Sequence, residues 1–135
     1  MRMSAGPVAD IVTNIRGTHV LVCAPDGPKL RTSGDAVEMI GEALYQRADL
    51  VAVPVERLDP GFFTLSTGIA GEIVQKFVNY RLRLAVRGDL SEHLARSASL
   101  RAFVVECNRG RHLWFVADDA ELGDRLTRKA PAASE

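Results

Sequence analysis

The sequence predicts an α/β domain in which an N-terminal β-hairpin is followed by four βα units, giving a mainly parallel five-stranded sheet with helices mostly on one face. Three observations predict it. Two β-branched segments near the start are joined by a turn sequence, and apolar strand-like runs then alternate with segments of helical periodicity. A later strand alternates arginine with apolar residues. Alternating strands and helices favour parallel pairing through right-handed crossovers.

The hairpin is predicted from residues 8–13 and 18–23, which are rich in β-branched side chains. Residues 14–17, Asn-Ile-Arg-Gly, join them, and Asn and Gly tolerate the positive φ angles of a tight hairpin turn. A second turn is predicted over residues 24–28, Ala-Pro-Asp-Gly-Pro, where the chain leaves the hairpin.

The first helix is predicted over residues 33–47. Thr32 is a candidate N-cap with Asp35 three residues later, which is the spacing of a capping box. One face of the helix is expected to be buried, since apolar residues repeat at helical spacing. These residues are Val37, Ile40, Leu44 and Ala48.

The middle of the chain predicts a buried strand at 50–55, a compact turn at 58–63 with two packed aromatic residues, and a helix at 68–80. The apolar stripe of this helix is Ile69, Ile73, Phe77 and Tyr80, widened by Val74 and Val78.

The strand at 81–87 alternates between arginine and apolar residues, which predicts one buried and one solvent-facing side. The helices should then crowd onto one sheet face and leave the other partly open. We expect His112 and Trp114 on that open face, where an aromatic ring beside arginines suits a protein interface. The residues assigned to the open side are Arg83, Ala85 and Arg87, and those assigned to the core are Leu82, Leu84 and Val86.

The C-terminal third predicts a helix capped by Ser97 or Ser99, a strand at 112–116, and a last helix opened by Asp118 and ending near Arg128. The domain should therefore cover residues 1–129, followed by a disordered tail over 130–135. The apolar positions of the capped helix are Leu100, Phe103, Val104 and Cys107.

The charge balance and the positions of the cysteines and histidines limit which partners and cofactors we expect. Lys plus Arg equals Asp plus Glu at 17 each, so no net field favours nucleic acid or an anionic membrane, and little charge opposes homo-oligomerisation. Cys23 and Cys107 lack metal-ligand spacing and suit reduced thiols in a cytoplasmic protein. The three histidines show no ligand spacing either, so we expect no metal and no cofactor.

Three stretches carry a family resemblance: VAVPVERLDPGFF, TGIAGEIVQKFVNYRLRLAVRGD and ECNRGRHLWFV. From Asp35 to Trp114 the chain resembles the bacterial family called domain of unknown function 4180, which implies no particular activity. More distantly, the order of elements is similar to that of STAS domains, the bacterial anti-sigma-factor antagonists. In those proteins a loop reading roughly Asp-Ser-Ser-Gly-Leu-Gly opens the second helix, and a partner kinase phosphorylates a hydroxyl in it.

The corresponding residues here are Ser66, Thr67 and Gly68, with Leu65 in the place of the acid. The STAS resemblance therefore implies a phosphoacceptor or anion site at these three residues. The residues themselves allow a second interpretation, because a hydroxyl at this position also caps a helix by accepting from an orphan backbone N–H.

Three function classes follow, of which the third is a purely structural homo-oligomer. The first is a non-enzymatic regulatory or protein-interaction module with a protein partner, possible homo-oligomerisation, and switching by a ligand or by phosphorylation. The alternative is a small-molecule-binding protein or enzyme acting at the carboxyl ends of the strands, near Glu56, Thr67 and Asp89. The candidate interaction or ligand face comprises Glu72, Gln75, Asn79, Arg83, Asp89 and Trp114.

Overall fold

A computed structural model describes the backbone of residues 10–133 and the side chains of residues 10–127. Its five strands lie side by side in the order of the sequence, and all neighbouring pairs except the N-terminal hairpin are parallel. This confirms the predicted α/β fold class. The strands are β1 (Ile11–Ile15), β2 (Thr18–Val22), β3 (Leu50–Pro54), β4 (Arg83–Arg87) and β5 (Leu113–Val116).

Six helices connect or follow these strands, and two short 3-10 turns lie at Val55–Arg57 and Leu65–Thr67. The compact turn predicted at 58–63 is a one-turn helix with both phenylalanines buried. A helix just after β4 was not predicted, because its six residues are too short for a periodic signal. The helices are α1 (Ser33–Tyr45), α2 (Pro60–Phe63), α3 (Ile69–Asn79), α4 (Ser91–Arg96), α5 (Ala98–Arg109) and α6 (Asp119–Ala133).

The hairpin closes through Arg16 and Gly17, whose φ angles are 51° and 87°. Two successive residues with positive φ form the tight turn that matches the twist of paired strands. The hairpin prediction is thus confirmed, although its residues 8 and 9 lie outside the described part of the chain. The predicted capping box is also present, since the Thr32 side chain accepts from the Asp35 N–H and the Asp35 carboxylate accepts from the Thr32 N–H.

The main core lies between one face of the sheet and the helices α1, α2, α3 and α5. We call this face of the sheet the helix-rich face. Phe77 and Ile73 of α3 are fully buried there, beside Ile40 of α1 and Leu100 of α5. Alternate strand residues meet this layer, as the period of two requires. They are Leu21, Cys23, Val51, Val53, Leu84, Val86, Leu113 and Phe115.

The opposite sheet face is not open as predicted, because α6 returns across it. Leu122 and Leu126, four residues apart on α6, pack with Trp114 and Ala85 in a second buried cluster. Trp114 is only 5% exposed, so the expectation that it forms an exposed interface is wrong. Its indole N–H donates to the Gly110 carbonyl oxygen at 2.9 Å.

We call the sheet face covered by α6 the α6 face. Its arginines pack around the second cluster and do not line an open surface. The guanidinium carbons of Arg83 and Arg125 lie 5.1 Å and 4.7 Å from the centroid of the Trp114 ring, within cation–π range. Arg87 Nε lies 3.4 Å from the Asp119 carboxylate at the start of α6. The alternation of β4 therefore reflects long cationic side chains whose stems cover apolar surface beneath a helix.

The last helix is longer than predicted. It begins at Asp119, with Asp118 accepting from the Glu121 N–H in the capping position, as expected. It continues to Ala133, past the end expected near Arg128, and so overlaps the tail predicted from residue 130. Residues 134–135 lie outside the described part of the chain.

Candidate functional site

The Ser66–Gly68 loop forms a 3-10 turn followed by one residue in the left-handed region. Gly68 has φ 78° and directly precedes α3, a conformation that glycine adopts without the steric cost of a Cβ atom. The helix therefore starts at Ile69, one residue after its predicted start. Ser66, Thr67 and Gly68 are all exposed, so the loop is accessible from solvent.

The Thr67 hydroxyl is held by the turn itself. Its Oγ1 lies 2.8 Å from the carbonyl oxygens of both Gly61 and Thr64, and it accepts from the Ile69 N–H at 3.2 Å. Thr67 therefore joins the end of α2 to the start of α3, which fits the capping interpretation of this residue. The Ser66 hydroxyl makes no hydrogen bond to the side chains or backbone that the structure describes.

This difference predicts that substitutions at the two positions change the free energy of unfolding by different amounts. Replacing Thr67 by valine should lower the free energy of unfolding by about 1–2 kcal/mol, because the Ile69 N–H loses its acceptor. Replacing Ser66 by aspartate should change it by less than about 0.5 kcal/mol, as expected at an exposed position. Urea unfolding of both variants measures this, and equal losses would contradict the separate roles.

The polar side of α3 is exposed as predicted. Glu72, Gln75 and Asn79 all face solvent, and Gln75 Nε2 donates to Asn79 Oδ1 at 2.9 Å. These side chains project from the outer side of the helix-rich layer, whereas Arg83 lies under the α6 face beside Trp114. The candidate interaction residues therefore do not form one continuous surface.

A groove of about 350 Å³ lies at the carboxyl ends of β4 and β5. Asp89 borders it and accepts from both the backbone N–H and the hydroxyl of Ser91, at 2.9 Å and 2.5 Å. These two bonds lower the pKa of the Asp89 carboxyl, which keeps it ionised and unsuited to act as a general acid. The lining residues are Gly88, Asp89, Leu90, Ser91, Leu94, Phe115, Val116 and Ala117.

The groove does not assemble the predicted enzymatic site. Neither Glu56 nor Thr67 belongs to its lining, and Glu56 is exposed after β3. His93, which follows Asp89 closely in sequence, faces Phe63 with 4.1 Å between the ring centroids, in a stacked arrangement. The groove thus offers an apolar floor and one ionised carboxylate.

Arg57 is a buried arginine whose role the sequence pattern did not indicate. It lies at the same edge of the sheet as the groove, where the parallel strands end. Arg57 is 3% exposed, and its guanidinium contacts the Asp10 carboxylate at 3.1 Å. It also donates to the carbonyl oxygens of Ala24 and Pro28, at 2.8 Å and 2.5 Å. One side chain thereby fixes the loop between β2 and α1 against the loop after β3.

Cys23 lies beside this ion pair, and it carries an inert thiol. Burial, followed by the nearby Asp10 carboxylate, raises the pKa of Cys23 to about 12. Burial also raises the pKa of Cys107 to about 11, with Glu106 adding to the shift. A thiol becomes a nucleophile only as its thiolate, so neither cysteine is activated at neutral pH.

The opposite edge of the sheet, where the parallel strands begin, carries a set of arginines that we call the arginine edge: Arg16, Arg47, Arg81, Arg83 and Arg111. Backbone hydrogen bonds show that its segments are neighbours. The Asp49 N–H donates to the His19 carbonyl oxygen, the Arg83 N–H to that of Asp49, and the Leu84 N–H to that of His112. Burial lowers the pKa of Arg83, the Asp49 carboxylate opposes this shift, and the positive charge of Arg111 adds to it. The charges of Asp49 and Arg111 therefore lie close enough to act on Arg83.

Two of these arginines end helices in an unusual way. After α1, the Arg47 N–H donates to the Leu44 carbonyl oxygen and the Ala48 N–H to that of Ala43. After α3, Arg81 and Leu82 make the same pair of bonds to Val78 and Phe77. Both are Schellman motifs, in which the residue with positive φ is usually glycine. Here the φ angles are 63° at Arg47 and 60° at Arg81.

Exposed tyrosines accompany both arginines. Tyr45 is 84% exposed at the end of α1, and Tyr80 is about half exposed at the end of α3. Arg47 and Arg81 are exposed too, and among the described residues no carboxylate pairs with either of them. No glycine marks the two helix ends, so the sequence pattern does not indicate this surface.

The described residues contain no group of three or more His, Cys, Asp or Glu side chains arranged to hold a metal ion. Over the same residues, no helix has the length and apolar character needed to cross a membrane.

Comparison with family models places residues 15–126 in a domain of unknown function, DUF4180. The chain belongs to this family. The search of curated proteins and that of solved structures gave no match, so the resemblance to STAS domains is not confirmed. The DUF4180 match extends from the end of β1 into α6 and so includes the arginine edge, the Ser66–Gly68 loop and the groove.

Proposed function

We propose that this DUF4180 domain is a non-enzymatic protein-interaction module that binds an acidic surface of its partner through the arginine edge. The observation that carries the proposal is the left-handed conformation of Arg47 and Arg81. A non-glycine residue in this region costs roughly 1–2 kcal/mol, and such strain concentrates at functional positions.

Helix electrostatics offset only part of this cost. A cation near a helix C-terminus contributes about 0.3–1 kcal/mol through the helix dipole, and that contribution is screened by salt at exposed sites. Glycine would satisfy the same two Schellman motifs without strain. We therefore interpret the two arginines as contact residues and not as helix caps. Arginine and tyrosine are enriched among the residues that dominate interface energetics, and exposed tyrosines lie beside both arginines.

The charge of the site selects the partner. Exposed arginines without a carboxylate partner attract carboxylates, with which guanidinium forms bidentate hydrogen bonds. A protein partner is favoured over nucleic acid because the chain as a whole is neutral and so exerts no net attraction on an extended phosphate backbone.

The direct test uses a fluorescently labelled oligoglutamate peptide as the probe. We expect anisotropy titrations to show binding at low salt that weakens as salt rises, and Arg47→Gly with Arg81→Gly should reduce the affinity about tenfold. Glycine relieves the left-handed strain at both positions, and this gain outweighs the lost dipole interaction, so the free energy of unfolding should not fall. This variant thus separates binding from folding.

Arg96→Ala is the matched control for each single change, Arg47→Gly or Arg81→Gly, because Arg96 is exposed at the end of α4 and its loss also removes one positive charge. We expect that variant to bind the peptide like the parent protein. An equal loss of affinity in the control, or tighter binding of an oligothymidylate than of the peptide, would contradict a protein-binding arginine edge.

Regulation through Ser66 is part of the proposal. Its hydroxyl is exposed and lies in a loop that Thr67 holds in one conformation. A phosphate at this position would add about two negative charges close to the start of α3. Intact mass spectrometry of protein isolated from its native cells, with peptide mapping to Ser66, tests for the modification, and its loss in Ser66→Ala locates it.

A further inference from the structure

We propose that the partner bound by the arginine edge includes a second copy of this chain, and that Tyr45 of one copy occupies the groove at the carboxyl ends of β4 and β5 of the next. The inference rests on the proposed function, because it uses the arginine edge as the contact surface. It adds the identity of the partner and the position of the anchoring side chain.

Tyr45 has the properties of an anchor. At 84% exposure it leaves almost its whole ring in water, although an aromatic side chain can bury about 150–250 Å². It sits in the last turn of α1, two residues before the strained Arg47, so its backbone is held by the Schellman motif. A tyrosine on a rigid element costs little conformational entropy when it becomes buried.

The groove has the properties of a receptor for one such ring. Its volume of about 350 Å³ is near the lower limit for small-molecule sites, which span about 300–1,000 Å³. Leu90, Leu94 and Phe115 give it an apolar lining, and Asp89 stands beside them as an ionised acceptor. A phenol ring can thus be buried against the leucines while its hydroxyl donates to a carboxylate.

The charges around the two surfaces are complementary. Arg47 lies two residues after Tyr45, and Arg81 follows the neighbouring helix α3; neither arginine has a carboxylate partner among the described residues. Asp89 lines the groove, and three further exposed acids lie within a few residues of its lining, in α4 and around the start of α6. These acids are Asp89, Glu92, Asp118 and Glu121. The unpaired cations Arg47 and Arg81 and the acids beside the groove lie on different edges of the sheet, which favours contact between unlike edges of two copies.

The geometry makes the association head-to-tail. The arginine edge lies where the parallel strands begin, and the groove lies where they end, so the two surfaces are at opposite ends of the sheet. A symmetric dimer through either edge would place like charges against each other. A contact between two different surfaces is heterologous and propagates into rings or open chains.

The test follows from this asymmetry. We expect sedimentation analysis of the parent protein at low salt to show a mass that rises with concentration beyond twice the monomer mass, and to fall towards the monomer at high salt. Tyr45→Ala removes the anchor, and Ala117→Arg blocks the groove from its exposed rim. Each variant alone should be monomeric, whereas an equimolar mixture should form a one-to-one dimer through the intact surfaces.

Tyr45→Phe is the matched control and should still assemble, with weaker association because the hydroxyl bond to Asp89 is lost. Failure of the parent protein to assemble, or of the two variants to complement each other, would overturn the inference. If oligoglutamate binding still depends on Arg47 and Arg81 in that case, the proposed function stands with a different protein as partner. If peptide binding is absent as well, both fail.

Discussion

Replacing Arg57 by alanine is expected to cost about 3–5 kcal/mol of folding free energy, a large part of the roughly 5–15 kcal/mol that a domain has. The guanidinium is 3% exposed and contacts the Asp10 carboxylate at 3.1 Å. Its removal leaves that carboxylate partly buried without its cation, and two carbonyl oxygens lose their donors. The loop from Ala24 to Pro28 should then separate from the end of β3.

Urea unfolding of Arg57→Ala, Asp10→Asn and the double variant separates the ion pair from the remaining contacts. Asp10 Oδ1 also accepts from the Ala24 N–H at 2.9 Å, and the side-chain oxygen of asparagine can keep that bond. The double variant should therefore be less destabilised than the sum of the two single changes, with a coupling of at least about 1 kcal/mol. A loss below about 1 kcal/mol in Arg57→Ala would show that the loop is held by other contacts.

The sequence predicted the order of elements because each carries a local signal. The Thr32–Asp35 box, the turn predicted at 14–17 and the cap predicted at Ser97 or Ser99 all depend on residues within four positions of each other. All three are present, the turn at Arg16–Gly17 and the cap at Ser97. The strand at β3 was predicted from its continuous apolar run, and its five residues are buried. Local chemistry of this kind does not depend on how the sheet is covered.

Local sequence signals could not predict which faces of the sheet are covered by helices. Alternation of arginine and apolar residues in β4 fits a solvated face, and it fits equally a face where arginine stems pack beneath a helix. The sequence places α6 after β5 without saying on which side of the sheet it returns. The structure puts Leu122 and Leu126 on Trp114, which closes the face that was predicted to be partly open.

The candidate site also has a part that local sequence predicted and a part that it did not. The accessibility of the Ser66–Gly68 loop was predicted from a short motif, and the exposure of Glu72, Gln75 and Asn79 from helical periodicity. The arginine edge depends on four helix or hairpin ends that are far apart in sequence and adjacent only in the sheet. Arg57 likewise looked like a polar stop after a strand, because its partner Asp10 is 47 residues away.

Replacing Phe77 by alanine should be comparably severe, at about 3–5 kcal/mol. The ring is fully buried at the centre of the apolar stripe of α3, between that helix and the sheet. Its removal leaves a cavity that the surrounding side chains fill only in part, so the lost contacts add to the lost burial of the ring. The backbone carbonyl of Phe77 also accepts from the Leu82 N–H, so a shift of α3 to fill the cavity would disturb the start of β4 as well.

Tyr45→Ala is the matched control for this change, since it also removes an aromatic ring near a helix end but at 84% exposure. We expect it to alter the free energy of unfolding by less than about 0.5 kcal/mol when measured on monomeric protein at high salt. The indole of Trp114 lies in the cluster on the other side of the sheet, so its fluorescence reports whether both cores unfold together. Coincident transitions by fluorescence and circular dichroism, shifted to lower urea in Phe77→Ala, would show that α3 stabilises the whole sheet. If Phe77→Ala costs less than about 1 kcal/mol, α3 does not contribute to the core as its burial indicates.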